Sequence, residues 1–417
     1  MAFLSGRVHS GEHRRVVITG AGILTSMGCG WAANAEGFRA GRSALRDITL
    51  FDTSRHRTGR AGELTLPAAL PSNLLGKRQA GRVDRPSAML IHAGGEALGQ
   101  AGWKVGAEGQ VPICLGTSAG AMEIGEAYYR QSVDEPTRRR GQATRVWQYQ
   151  TQTQARHLAD AFGLSGPVSI ITNACSSGAN AIGHGFHLVK RGQADRVLCG
   201  GYDALSAMVF AGFDSLQALT TGVPRPFDAD RDGLALGEGA ALVTLETLQA
   251  AEKRGAEILG EVVGYGASTD SHHLTQPHPQ GDAALRSMQA ACDEAGIGPE
   301  QVDYINSHGT GTPLNDIAEG RAIQRWAGAG VGRVAVSSTK ASIGHLLGGA
   351  GAVEAVIALM AMRGNWLPPT TTVREPDDVC TFDLIREPRD AQVDCVLTNS
   401  FGFGGANATL VMREVGS

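Results

Sequence analysis

One of the seven cysteines stands in a setting that suits a nucleophile. Cys175 follows the apolar run 168–171, which has the composition of a buried strand, and precedes a stretch of small residues, 176–178, that opens a predicted helix. A tight turn from strand to helix exposes the side chain at its tip, and the N-terminus of a helix favours a thiolate over a thiol. We predict that Cys175 is a reactive thiol and that the other cysteines are small core residues.

Two histidines have neighbours that would let a substrate approach them closely. His308 lies in the motif SHGTGT, residues 307–312, and His345 lies in GHLLGG, residues 344–349. The flanking glycines leave room for a ligand beside the backbone. Near one sulfur, two neutral imidazoles would donate hydrogen bonds to a developing oxyanion. A zinc site built from Cys175 and the two histidines is disfavoured, because the chain lacks the short Cys and His spacings of such sites.

These residues must be positioned by an alternation of strands and helices. Short apolar runs that end in glycine or small polar residues recur along the chain, and most precede an Ala-rich stretch, which predicts an α/β fold with buried strands. Residues 168–183 and 334–351 share the order of apolar strand, small polar turn and Gly/Ala helix, with Cys175 and Lys340 at the two turns. We therefore predict an internal duplication with a functional residue at the equivalent turn of each half.

Length and composition bound the class of protein. The chain has 417 residues, 42% of them hydrophobic, with 37 Lys and Arg against 41 Asp and Glu. This size suits two domain-sized halves, an N-terminal one at residues 1–255 and a C-terminal one at residues 256–417. The slightly acidic balance argues against nucleic-acid binding over the whole surface, since such binding neutralises many phosphates with basic side chains.

The same features indicate a cytoplasmic protein with no membrane span. The cysteines are odd in number and scattered, which favours a reducing compartment over a disulfide framework. A polar extension precedes Arg14 and lacks the apolar segment of a signal peptide. The most apolar helical stretch, residues 350–362, is interrupted by Glu354 and so does not fit a membrane span.

Six motifs occur in a fixed order from Arg14 almost to the C-terminus. Together they resemble the β-ketoacyl-[acyl carrier protein] synthases of the thiolase superfamily, in particular the synthase II group and its type II polyketide relatives. The resemblance implies a thiolase fold, in which duplicated α/β halves form a five-layered α-β-α-β-α core. The motifs are RRVVITGAG at 14–22, ACSSG at 174–178, RPFDADRDG with GEGA within 225–240, HGTGT at 308–312, SSTK with GHLLG within 337–348, and NSFGFGG at 399–405.

The resemblance also implies a mechanism. Cys175 would take an acyl group from an acyl carrier protein as a thioester, and the enolate of a decarboxylated malonyl extender would attack that thioester. His308 and His345 would stabilise the enolate, and the backbone N–H groups of Cys175 and Phe403 would form the oxyanion hole. Lys340, paired with Glu354, would orient the histidines. Phe401 and Phe403 would gate the pocket.

Further residues match binding positions of the family. Thr275, Thr310 and Thr312 would contact the phosphopantetheine arm, and the small Ala119 at the acyl pocket would leave room for a long or rigid chain. A basic patch would dock the acidic carrier protein. That patch comprises Lys77, Arg78, Arg82, Arg138 and Arg139.

Several alternatives stay open on the sequence alone. The chain could serve polyketide synthesis beside a chain-length-factor subunit, or housekeeping fatty acid synthesis as a homodimer. A coenzyme-A thiolase and a non-catalytic partner subunit are the other two interpretations, although chain-length factors lack the active cysteine that this chain has. No metal and no resident cofactor are expected, because the substrates would arrive on phosphopantetheine.

Overall fold

The computed structural model describes residues 14–71, 75–104, 106 and 110–416. The polar extension before Arg14 lies outside the described residues. The strands are β1 (Val16–Thr25), β2 (Gly28–Cys29), β3 (Arg46–Asp47), β4 (Arg60–Ala61), β5 (Ile113–Gly116), β6 (Val168–Ile171), β7 (Arg196–Asp203), β8 (Gly239–Thr247), β9 (Gly260–Thr269), β10 (Tyr304–Asn306), β11 (Ala335–Ser337), β12 (Trp366–Leu367), β13 (Asp383–Leu384), β14 (Arg389–Asp390), β15 (Cys395–Phe401) and β16 (Ala406–Arg413).

The helices fall between these strands, as the alternation in the sequence predicts. They are α1 (Trp31–Arg39), α2 (Lys77–Ala80), α3 (Arg85–Gln100), α4 (Met122–Asp134), α5 (Gln142–Tyr149), α6 (Thr151–Phe162), α7 (Ser177–Lys190), α8 (Ala207–Ser215), α9 (Leu248–Lys253), α10 (Asp282–Ala295), α11 (Pro313–Ala327), α12 (Lys340–Ile343) and α13 (Ala350–Gly364).

The two halves of the chain repeat one sheet topology. The N-terminal half has the strand order β6-β5-β7-β8-β1, and the C-terminal half has the order β11-β10-β15-β16-β9, with β13 added at its edge. In each half the first three strands are parallel and the next two pairings are antiparallel. The two sheets join where β1 pairs with β9, with Val16 opposite Val262. The predicted duplication is confirmed.

The halves stack into five layers with two helices at the centre. Helices α3 and α6 cover the outer side of the first sheet, α7 and α13 lie between the sheets, and α10 and α11 cover the second sheet. The central position explains why α13 is rich in Ala, Val, Leu and Met, since almost every one of its residues is buried. The α-β-α-β-α prediction is therefore confirmed.

One helical stretch is long and apolar enough to cross a membrane. This stretch, Leu347–Gly364, has a mean hydropathy of 1.3, but 89% of it is buried inside the protein. Its apolar composition is therefore explained by its place in the central layer.

The turn before each central helix has the same geometry in both halves. Before α7 the chain forms a 3₁₀ turn at Ala174–Ser176, and before α13 it forms one at Leu347–Gly349. Each turn begins with a non-glycine residue of positive φ, 56° at Ala174 and 51° at Leu347. Cys175 is therefore equivalent to Gly348. The prediction that Lys340 occupies the equivalent turn is wrong, because Lys340 begins the additional helix α12, inserted before that turn.

Candidate active site

Cys175 lies at a strained turn that faces a cavity. The left-handed backbone of Ala174 turns the chain sharply between β6 and α7, which is the local geometry of a nucleophile elbow. The cysteine is 7% exposed and lines a cavity of about 350 Å³. His308 and His345 line the same cavity. The structure thus brings together the three residues that the sequence predicts for the chemistry.

Burial is the main influence on the pKa of the Cys175 thiol. Burial raises the pKa of Cys175 to about 12, although the positive charge of Lys340 and a hydrogen bond from the backbone N–H of Phe403 both lower it. The resting site therefore favours the neutral thiol, and the reactivity of Cys175 stays a prediction. The favourable end of α7 is outweighed because segments from both halves surround the sulfur.

His308 is held through its backbone by a buried carboxylate. The N–H groups of His308 and Gly309 donate to the two carboxylate oxygens of Glu319, at 2.8 and 2.7 Å. The next residues of the loop are held by Asp316, which accepts from the N–H of Thr310 at 3.1 Å. Both acids lie on α11, directly after the loop, so the helix fixes the loop that carries the histidine.

His345 is held by backbone hydrogen bonds to a neighbouring extended segment. Its N–H donates to the carbonyl of Ala235 at 2.7 Å, and its carbonyl accepts from the N–H of Gly237 at 2.9 Å. The imidazole rings of His308 and His345 lie edge to face, with centroids 5.3 Å apart. No described residue hydrogen-bonds to either ring nitrogen of His345 or to Nδ1 of His308. Among the described residues, no protein group therefore competes with a substrate oxygen for these nitrogens.

A buried ion pair sets the charge of the site. The ammonium of Lys340, 2% exposed, donates to the carboxylate of Glu354 on α13. Burial lowers the pKa of His308 and of His345 well below the ordinary value, and the charge of Lys340 lowers both further. Burial also raises the pKa of Glu354 to about 7, against the opposing charge of Lys340. The two imidazoles are therefore neutral at physiological pH.

The two phenylalanines of the C-terminal motif differ in exposure. Phe401 is partly buried, with its ring 5.7 Å from that of His308, whereas Phe403 is 38% exposed and stacks on Phe213 of α8 at 5.9 Å. The chain after Phe403 requires glycine, because Gly405 has a φ of 81° and a Cβ there would lie 1.9 Å from the carbonyl oxygen of Asp270. The motif thus places one aromatic ring inside the cavity and one at its mouth.

The predicted pantetheine and acyl residues have different positions. Thr275, Thr310 and Thr312 all line the cavity that contains Cys175, and the hydroxyls of Thr310 and Thr312 lie 2.8 Å apart. Ala119 is buried in a cluster that also includes Leu347, and it is absent from the cavity lining. The acyl-pocket role of Ala119 stays a prediction.

The predicted docking residues lie on the outer surface of the N-terminal half. Lys77 and Arg78 are exposed on α2, Arg82 is exposed just after it, and Arg138 and Arg139 are exposed between α4 and α5. The side chain of Gln148, near the C-terminal end of α5, donates to the carbonyl of Arg82 at 3.0 Å, so this end of α5 lies beside the first group. Arg138 pairs with Glu135 at 2.9 Å.

Sequence reasoning missed the carboxylates that hold the site together. Glu319 and Asp316 follow the HGTGT motif on the next helix, so acidic residues close behind a glycine-rich loop were an available signal. Asp203, at the end of β7, accepts from backbone N–H groups of two separate segments and had no such signal. Among the described residues, no group of three or more His, Cys, Asp and Glu side chains is placed to hold a metal ion.

Family models match both halves of the chain. The model described as beta-ketoacyl synthase, N-terminal domain, matches residues 13–251, and the one described as beta-ketoacyl synthase, C-terminal domain, matches residues 259–374. Among curated proteins, the 3-oxoacyl-[acyl-carrier-protein] synthase 2 of a Synechocystis species is 36% identical, and the alignment covers 97% of this chain and 99% of that protein.

Solved structures show the same likeness. The structure titled the ishigamide ketosynthase/chain length factor has a TM-score of 0.89 and 33% identity, covering 97% of this chain and all of the matched one. A type II PKS acyl-carrier protein in complex with its ketosynthase bound to the hexaketide has a TM-score of 0.85 and 25% identity, with coverage of 97% and 100%.

Proposed function

The chain belongs to the β-ketoacyl synthase family, and from this premise we propose that it condenses an acyl group on Cys175 with malonyl-[acyl carrier protein]. The reaction releases carbon dioxide and gives a longer β-ketoacyl-[acyl carrier protein]. One observation carries the assignment of residues: Cys175, His308 and His345 line a single cavity, which the threonines expected to meet a pantetheine arm also line. A covalent acyl intermediate divides a difficult condensation into two easier steps.

In the first step the thiol of Cys175 attacks the acyl carbon of a carrier-bound thioester. The carbon–sulfur bond to pantetheine breaks, a bond to Cys175 forms, and the thiol proton leaves with the pantetheine sulfur. The N–H of Phe403, which points at the cysteine sulfur, together with the N–H of Cys175, stabilises the oxyanion of the tetrahedral intermediate.

In the second step the malonyl group loses its carboxylate as carbon dioxide. The electron pair left behind forms an enolate, whose oxygen accepts hydrogen bonds from His308 and His345. Neutral imidazoles suit this task, and burial keeps both pKa values low. The enolate carbon then attacks the acyl group, and the released sulfur of Cys175 takes up one proton from solvent.

The substrates arrive on an acyl carrier protein, and no resident cofactor takes part. The basic patch of Lys77, Arg78, Arg82, Arg138 and Arg139 carries the charge expected of a surface that attracts an acidic carrier protein. The small side chain of Ala119 favours a long or rigid acyl group. Elongation in a type II polyketide or fatty acid system of the cytoplasm fits these features.

A second subunit completes the protein, either another copy of this chain or a chain-length factor. The edge strand β6 pairs only with β5 among the described strands, and Val168 at its start is 43% exposed. An apolar edge of this kind is suited to pairing with another chain. The structure titled the ishigamide ketosynthase/chain length factor is a relative that assembles in the second way.

Intact-mass measurement tests the proposed condensation. The purified chain is incubated with acyl carrier proteins that bear acyl groups of different lengths, and then with malonyl carrier protein. We expect an acyl adduct on Cys175, followed by a β-ketoacyl product. Cys175→Ala should form no adduct and no product but retain malonyl decarboxylation, whereas Cys199→Ala, at a buried cysteine of β7, should behave as wild type. Extension by Cys175→Ala would refute the mechanism.

Two further outcomes separate the alternatives. Condensation of acetyl-CoA alone, without a malonyl carrier protein, would support a thiolase. A chain that accepts no acyl group from any carrier protein, yet co-purifies with an active synthase, would support a non-catalytic subunit.

A further inference from the structure

A buried carboxylate outside the catalytic set joins the two sides of the site. We propose that Asp203 is a positioning residue that ties the loop carrying Ala119, residues 117–120, to the turn that follows His345. This inference rests on the proposed condensing activity, and it concerns how the acyl side of the site is held in register with the histidine side.

The hydrogen bonds of Asp203 come from two segments that are far apart in the sequence. Its side chain is fully buried at the end of β7. Oδ1 accepts from the hydroxyl of Thr117 at 2.6 Å and from the N–H groups of Ala119 and Gly120 at 2.8 and 3.0 Å. Oδ2 accepts from the N–H of Ser118 at 2.9 Å and from the N–H of Gly348 at 2.6 Å. Every group bonded to the carboxylate is a donor.

The bond to Gly348 reaches the histidine side of the site. Gly348 belongs to the 3₁₀ turn Leu347–Gly349, which begins just after the His345 segment with a left-handed residue, Leu347. The His345 backbone is anchored at Ala235, before the turn, so the bond to Asp203 fixes the chain on the other side of His345. A positive φ at a non-glycine residue is strained and persists only where neighbouring contacts enforce it.

The two segments also touch directly. A Cβ at Gly348 would lie 2.5 Å from the backbone nitrogen of Ser118, so the chains pass each other with no space between them. Ala119 and Leu347 belong to one hydrophobic cluster. A displacement of the 117–120 loop by an acyl chain would therefore be transmitted to the turn after His345, and Asp203 is the polar part of that joint.

Gly348 is the structural counterpart of Cys175, which clarifies the arrangement. In the N-terminal half, the sulfur of Cys175 accepts a hydrogen bond from the backbone N–H of Phe403, which lies just beyond β15. In the C-terminal half, the N–H of Gly348 at the equivalent turn donates a hydrogen bond to the carboxylate of Asp203, at the end of β7. β7 and β15 occupy the same place in the two strand orders. One of the two equivalent turns thus carries the nucleophile, and the other carries the N–H through which Asp203 anchors the chain after His345.

The substitution Asp203→Asn tests the joint with almost no change in size. An amide has one acceptor oxygen, so its NH₂ group must replace one carboxylate oxygen. The arrangement with fewest conflicts replaces Oδ2, where the NH₂ group faces the N–H groups of Ser118 and Gly348. We expect the kcat of malonyl decarboxylation to fall about tenfold or more with KM within about twofold, while acyl transfer to Cys175 changes by less than about threefold.

Two more variants keep the test decisive. Gly348→Ala pushes the same segments apart while it leaves Asp203 in place. It should likewise slow malonyl decarboxylation much more than acyl transfer to Cys175. Glu63→Gln is the matched control, because Glu63 is also a buried carboxylate that accepts backbone and hydroxyl donors, but these donors belong to Thr49 and Leu50 and not to the 117–120 loop or the turn after His345. It should lose comparable thermal stability and keep the kcat of decarboxylation within about twofold.

The outcomes distinguish this inference from the proposed function. If Asp203→Asn and Gly348→Ala slow acyl transfer and decarboxylation equally, or no more than Glu63→Gln does, Asp203 has only a structural role and the inference is overturned. If the unsubstituted protein performs neither reaction, the proposed function itself fails.

Discussion

The imidazole rings of His308 and His345 lie edge to face, with their centroids 5.3 Å apart. Each residue is held through its backbone, and each ring has a nitrogen that makes no hydrogen bond to any described residue. Two rigid, neutral donors at this separation can share one oxygen atom of a substrate. The pair comes from two different loops of the C-terminal half, one anchored by α11 and the other by the segment 235–237. Preorganisation of this kind requires no rearrangement when charge develops on the substrate.

The first prediction concerns the imidazoles themselves. Replacing either His308 or His345 with alanine should lower the rate of malonyl decarboxylation by about 10²–10³-fold, because each removes one donor to the enolate oxygen. Transfer of an acyl group to Cys175 should be much less affected, since the oxyanion of that step is expected at the Phe403 N–H. The two rates are measured separately, by carbon dioxide release and by intact mass. Equal losses in both would contradict the division of labour.

The second prediction concerns the ion pair between Lys340 and Glu354. Lys340→Met leaves the Glu354 carboxyl buried without its partner, which should lower the free energy of unfolding by about 3–5 kcal/mol. The double variant Lys340→Met/Glu354→Leu should recover most of that stability, because no uncompensated charge remains. It should stay impaired in condensation, since the positive charge that adds to burial in lowering the pKa of both histidines is gone. Urea denaturation and the condensation rate check the two parts, and an active double variant would make the pair purely structural.

The sequence predicts the catalytic residues where their signals are local. Cys175 and His308 each stand between an apolar run and small or glycine residues. In the structure each follows the end of a strand, as this pattern predicts. The alternation of strands and helices likewise predicts the duplicated sheet. These features need only neighbours in the chain, because the backbone of a short turn is decided by the residues within it.

Properties that depend on distant contacts could not be predicted in the same way. The high pKa of Cys175 comes from burial by segments of both halves, which outweighs the local effect of α7. Asp203 meets Gly348 across 145 positions of sequence. The sequence alone does not show that Cys175 is equivalent to Gly348, because α12 is inserted before the second turn. This insertion puts Lys340 at the position in the sequence pattern that Cys175 has in the first half.

The third prediction is a pH dependence that Glu319 should control. Burial raises the pKa of Glu319 to about 7, although the N–H groups of Gly309 and His308 favour its ionised form. Below pH 7 the protonated acid loosens its hold on the His308 backbone, so kcat should fall on the acid side. The histidines do not cause this fall, since their pKa values lie well below 6.5.

Stability should change in the opposite direction over the same range. A carboxyl whose pKa rises from 4.5 when unfolded to about 7 when folded binds its proton more tightly in the native state. Its contribution to stability is therefore full below pH 4.5 and is lost as pH rises through 7. Glu319→Gln should flatten both dependences relative to wild type. A variant with an unchanged acid limb of kcat would assign that limb to another group.

The last prediction concerns the gate. Gly405→Ala should disturb the segment that carries Phe403, because the added Cβ would lie 1.9 Å from the carbonyl oxygen of Asp270 at a φ of 81°. The backbone bond from Asp270 N–H to the Gly405 carbonyl, 2.8 Å long, would be strained with it. We expect a lower kcat for condensation on carrier-bound substrates. Gly404→Ala is the matched control: it shares the positive φ, 79°, but its Cβ would meet no atom within 4 Å. If both variants slow the reaction equally, backbone strain rather than contact with the Asp270 loop limits the gate.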